Sequence, residues 1–182
     1  MKTLISLGLA ILIVFSTRVN AEQATAPIGF VQLCERQPEL VMCNVSTETK
    51  HIGSIDQLKS INFQVNRSMR YVDDVPTNGS LDLWQVPVNN EGDCEDYALL
   101  KYKMLVESGW NPNDLSFAIL RTLGTRGGYH AVLVATVEGK KYSLDMNFNE
   151  VKAVGRIYGG GMRWESIQIS GTTNFRKFDG TY

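Results

Sequence analysis

The chain reads as an α+β protein, with helices first and an antiparallel sheet after them. Two stretches and their order predict this. Ala98, Leu99, Tyr102, Leu105 and Val106 recur at the helical period over residues 94–106. YHAVLVATV (129–137) then forms a strand, followed by the turn EGK and a second strand KYSLDMNF (141–148). The helix should lie across the sheet that this hairpin begins.

Taken in order, the chain opens with one early lysine, an apolar run from Leu4 to Phe15 and a V-x-A ending at Ala21. That run is too short to cross a bilayer, so residues 1–21 read as a secretory signal peptide. The mature chain, 22–182, is expected to be a single domain in the periplasm or secreted, with no direct membrane insertion. The 18 Lys and Arg fall to 16 once Lys2 and Arg18 leave with the leader, against 19 acidic residues, a net charge of −3. Such a domain is a poor match for nucleic acid or for cationic membrane docking.

Export permits disulfides, and there are three cysteines. Cys34 and Cys43 flank Pro38 in a short loop and either pair or stay as two buried thiols; we pair them, which leaves Cys94. Residues 22–29 read as a mobile lead. Residues 30–42 read as a short helical or irregular segment around the two cysteines. Ile55, Leu58, Ile61 and Phe63 predict a helix over 54–65 that could extend into NRSMRYVDD (66–74). VPTNGSLDLWQVPVNNEG (75–92), rich in Pro, Asn and Gly, is a long loop, and such loops often carry function. N-x-S sequons at Asn44, Asn66 and Asn78 matter only in a eukaryotic secretory pathway.

GDCEDY (92–97) starts the central helix. Asp93 suits the N-cap, Asp96 three residues on resembles the second half of a capping box, and Gly109 stops the helix. Cys94 therefore sits at the positive end of the helix dipole, which favours a thiolate. NPND (111–114) is a turn, LSFAILRTL (115–123) a strand and GTRGG (124–128) a break. RIYGG (156–160), RWESIQIS (163–170) and one further short strand complete a meander.

A cysteine nucleophile needs a base within reach and a group that orients the base. Of the two histidines, His51 lies in a polar surface segment, whereas His130 starts the clearest strand. A turn centred near Val137 and Glu138 puts Asp145 opposite His130. One centred on Gly139 offsets the pair, a shift that a bulge could absorb. Asp145 lies among Leu144, Met146 and Phe148, where a carboxylate needs a partner.

GDCEDYALLKY (92–102), GGYHAVLV (127–134) and YSLDM (142–146) resemble the bacterial transglutaminase-like cysteine proteinases, including the LapG-type periplasmic proteases. APIGFVQLC (26–34) and LDLWQVP (81–87) are similar as well, so the resemblance spans nearly the whole mature chain. It implies a papain-like, transglutaminase-like fold with Cys94 as nucleophile, His130 as base and Asp145 as orienting acid. One departure is visible: the family's usual Asn after that Asp is Met146 here, with Asn147 next.

The acids around Cys94 would raise its pKa, a problem that a bound hard cation would relieve. The resemblance implies Ca2+ held by Asp93 and Glu95. Asp74 is a third candidate ligand, with Asp73 and Asp82 behind it. It also implies a protein substrate such as a large surface adhesin, and an inner-membrane regulatory receptor. The same acyl-enzyme could serve a transglutaminase or amidase acting on glutamine side chains, and a non-catalytic calcium-dependent interaction module is a reading from another class.

Overall fold

The computed structural model describes residues 22–44, 53–74, 82–123, 128–155, 158–159 and 161–181; the leader, His51 and Asn78 lie outside them. The expected mobile lead is instead tied down. Gln23–Ala24 form strand β1 and Ile28–Arg36 form helix α1. A 3-10 turn over Val41–Cys43 brings Cys43 back to Cys34, and the two form a disulfide with a Cα–Cα distance of 5.6 Å.

Helix α2 runs from Ile55 to Ser68 behind a full capping box: Ser54 accepts from the Gln57 N–H while the Gln57 side chain accepts from the Ser54 N–H. It stops at Met69, and Arg70–Tyr71 (β2) pair in parallel with Glu91–Gly92 (β3). The described part of the long loop, 82–90, is not a surface strap, because Trp84 is buried against Phe30 and Phe117.

Helix α3 spans Cys94–Glu107 and ends on Ser108, with Gly109 at a φ of 95° as its left-handed stop. Strands β4 (Leu115–Thr122), β5 (Tyr129–Val137), β6 (Lys140–Leu144), β7 (Lys152–Ala153), β8 (Met162–Gln168) and β9 (Phe175–Lys177) follow. They form one antiparallel sheet with β1, in the order β1-β9-β8-β4-β5-β6-β7. The expected meander thus breaks after β7. The chain returns to lay β8 along the free edge of β4, whose residues 117–120 are buried on both faces and would make a costly exposed edge.

Helices and sheet enclose the main core, in which Ala131, Leu133 and Ala135 face Tyr97, Leu99 and Leu105 of α3. On the opposite face Val132 and Val134 pack with Tyr158, Trp164 and Phe178. Burial on both faces explains why β5 is so uniformly apolar.

Candidate active site

The site begins at the tip of α3. At position 92 only glycine fits: a Cβ there would lie 2.5 Å from the Cβ of Asp96. Asp93 occupies the N-cap position, but its side chain makes no capping bond, contrary to the sequence expectation. The other half of the box is present, since the Asp96 carboxyl reaches back to the Asp93 backbone and also accepts the Gln85 N–H at 3.1 Å. Asp93's carboxyl is thereby left uncommitted to the helix.

Cys94 lies beside β5. Because the β5–β6 ladder ends at Leu133 with Leu144, the start of β5 extends beyond it, and the Ala131 N–H donates to the Cys94 sulfur at 3.4 Å. The thiol itself donates to Glu95 Oε2 at 3.1 Å. Its pKa is pushed well above the usual thiol value, first by burial and then by the charge and hydrogen bond of Glu95, against which the Ala131 N–H works.

His130 and Asp145 do meet, though not directly across the hairpin. The turn is Glu138–Gly139, with φ of 49° and 76°, the positive pair that a two-residue type I′ hairpin turn needs. Val137 therefore pairs with Lys140 and Leu133 with Leu144. That register offsets Asp145 from His130, so the turn near Val137 and Glu138 was the wrong alternative. The side chains close the gap: His130 Nε2 and Asp145 Oδ1 are 2.8 Å apart, with Asp145 1% exposed. Nδ1 is the ring nitrogen left for other chemistry.

Asp145 has more support than its sequence neighbours suggested. The Asn147 N–H donates to Oδ1 at 2.8 Å and the Tyr158 hydroxyl donates to Oδ2 at 2.6 Å. The Asn147 amide also lies 3.3 Å from His130 Nε2. Burial alone would raise the carboxyl's pKa, but the hydrogen bond and charge of His130, with those two donors, hold it below the usual range. With Met146 in the next position, Asn147 and Tyr158 surround the carboxylate. Tyr158 was missed because it lies far along the chain in a segment read only as RIYGG.

The acids at the helix tip form a second cluster. Ligand atoms of Asp93, Cys94 and Glu95 lie within 4.8 Å of one another. Asp93 Oδ1 and Glu95 Oε1 are buried with no hydrogen-bond partner. Asp82 hydrogen-bonds Glu95, and the Asp74 backbone donates to the Asp93 carboxyl. Asp74 also accepts the Leu83 N–H through its side chain. Burial, followed by the Asp82 and Asp93 hydrogen bonds, pushes Glu95 up to about 10, and burial raises Asp93 too. Crowded carboxylates, with one buried oxygen of Asp93 and one of Glu95 left without a partner, are what a hard cation requires, so these residues fit calcium. Asp73 is exposed and takes the Tyr71 hydroxyl instead.

Cys94 opens onto a cleft of about 1350 Å³ whose walls include Tyr71, Trp84, Tyr129, Arg163 and Glu165. It is large enough for several residues of an extended peptide.

Residues 20–171 match the family described as bacterial transglutaminase-like cysteine proteinase BTLCP. Among solved structures, the chain is similar to calcium-bound LapG of Legionella pneumophila. That match has 28% identity and a TM-score of 0.51, covering 62% of this chain and 64% of that one. The EGTA-treated form of the same protein matches with 27% identity and a TM-score of 0.51, covering 63% of each chain. The matched region thus spans less than two thirds of those LapG chains. No curated protein sequence matches the chain.

Proposed function

Since the chain belongs to the bacterial transglutaminase-like cysteine proteinase family, we propose that it is an exported, calcium-dependent cysteine endopeptidase. The observation that carries this is the buried His130–Asp145 pair at 2.8 Å, next to a residue whose N–H holds the Cys94 sulfur. Asp145, accepting from Nε2–H, fixes the imidazole tautomer that presents Nδ1 as the base. Cys94 gives its proton to His130 and attacks the peptide carbonyl. The imidazolium then protonates the leaving amine, and water, deprotonated by the same nitrogen, releases the acyl group. Backbone N–H groups at the start of α3, that of Cys94 among them, supply oxyanion stabilisation.

Asp93 and Glu95, with Asp74 and Asp82 beside them, are the residues that would hold calcium. Bound there, the ion would neutralise the acids that keep the thiol protonated. The similar LapG structures in calcium-bound and EGTA-treated forms support this reading. The apolar leader at 1–21 and the Cys34–Cys43 disulfide support an oxidising, periplasmic or extracellular location. Among the described residues no helix is long and apolar enough to cross a membrane. The substrate is a surface or periplasmic protein such as a large adhesin, and an inner-membrane receptor is the expected regulator.

The test is to incubate wild type and Cys94→Ala with surface proteins of the source organism and read the products by mass spectrometry. Wild type should yield new termini and the variant none. Equal cleavage by both would remove the nucleophile assignment. Modified glutamines with an intact backbone would favour amidase or transglutaminase chemistry.

A further inference from the structure

The capping box at Ser54 sets the register of α2 and places Asn62 and Asn66 one turn apart on the same face. Their neighbours Leu58, Ile61 and Val65 are core residues. Asn62 is as buried as they are, with no exposed surface. An amide in such a position needs a reason, because burying it is costly unless its hydrogen bonds are made.

The reason lies in the turn after β6. Asn66 Nδ2 donates to the carbonyl of Asp145 at 2.9 Å and to that of Phe148 at 3.0 Å. Asn62 Nδ2 donates to the carbonyls of Phe148 at 2.8 Å and Asn149 at 3.0 Å. Two amides thus hold three carbonyls of a five-residue turn that begins at the acid. Both side chains leave their Oδ1 atoms buried without a hydrogen-bond partner. That arrangement sacrifices acceptors to deliver donors. It also excludes the Asn66 sequon from carrying a glycan in the folded protein.

We infer that Asn66, with Asn62 behind it, is a positioning residue for the proposed hydrolysis. By fixing the Asp145 backbone it aims the carboxylate, and the carboxylate sets the tautomer and direction of His130. Helix α2, which contributes no reacting group, is therefore a strut of the active site. The inference rests on the reading of Cys94, His130 and Asp145 as the reacting set.

The experiment uses the calcium-loaded mature protein, labelled with 15N-histidine. Only two histidines are present, so His51→Gln assigns the spectrum. Wild-type His130 should show the Nε2–H tautomer, and iodoacetamide should alkylate Cys94 at pH 7 faster than it alkylates an ordinary thiol. Asn66→Ala and the isosteric Asn66→Asp should give mixed tautomers and alkylation slower by about tenfold, with melting still cooperative. Asn66→Gln, which keeps the donating amide, should stay near wild type. Because Asn66→Asp preserves volume, the test does not depend on the alanine variant folding. Wild-type tautomer and rate in folded Asn66→Asp would overturn the inference while leaving the triad standing. A wild-type His130 lacking the Nε2–H form, beside a slow thiol, would overturn the triad and this inference with it.

Discussion

Lys101 offers a sharp test of the energetics. It sits on α3 with no exposed surface, and its Nζ has no hydrogen-bond partner. The Tyr97 ring offers weak compensation, with its centroid 6.0 Å away. Burial pushes the ammonium pKa down from 10.5 to about 7, with the charge of Asp145 opposing part of the fall. Between those two values the unfolded chain binds a proton that the folded chain does not. The contribution of Lys101 to stability therefore rises with pH across that window and is lowest below about pH 7. At about 1.4 kcal/mol per pH unit, the fall from 10.5 to about 7 sets a ceiling near 5 kcal/mol. Relaxation and water entry should reduce this to about 2–3 kcal/mol.

Lys101→Met keeps the stem and removes the charge. In thermal melts at pH 6 the variant should melt higher than wild type by about 4–12 °C, at roughly 2–4 °C per kcal/mol for a domain of this size. The gap should shrink steadily towards pH 10, because other titrating groups cancel in the difference. A variant that melts lower at every pH, or a gap that ignores pH, would show that the amine is satisfied and the reasoning wrong.

Other outcomes follow from the same contacts. Excess EGTA should reduce cleavage and slow Cys94 alkylation, with calcium restoring both better than magnesium; unchanged rates in a fully chelated sample would remove the metal. Tyr158→Phe deletes a 2.6 Å donor to Asp145, so the carboxyl's pKa should rise. The acid limb of the activity profile should then move to higher pH by about one unit, read as rate against pH. Replacing Cys34 and Cys43 by serine opens a short loop and should lower stability by about 2–3 kcal/mol in urea melts; an unchanged midpoint would make the bridge incidental.

Much of the chain was legible in one dimension because its signals are local. The helix stripe from Ala98 to Leu105, the strand 129–137 and the Gly109 stop each depend on neighbours within a few residues, and each appears where the pattern placed it. The cysteine pairing was legible through a short loop, although as one of two alternatives. The N-terminal lead was misjudged because Gln23–Ala24 pair with Phe175 and Arg176, at the far end of the sequence.

The sequence by itself determined the chemical inventory: a thiol at a helix tip, acids packed around it, and a histidine and an aspartate on one hairpin. Tertiary structure decided how these are supported. It set the register that offsets Asp145, brought Tyr158 to the carboxylate, returned β8 to the edge of β4, and turned two α2 amides toward the turn that begins at the acid, one of them onto the acid's own carbonyl. Periodicity reports which residues face inward, since burial repeats along a helix or strand. It carries no information on which buried polar atoms meet, because those partners are drawn from segments tens of residues apart.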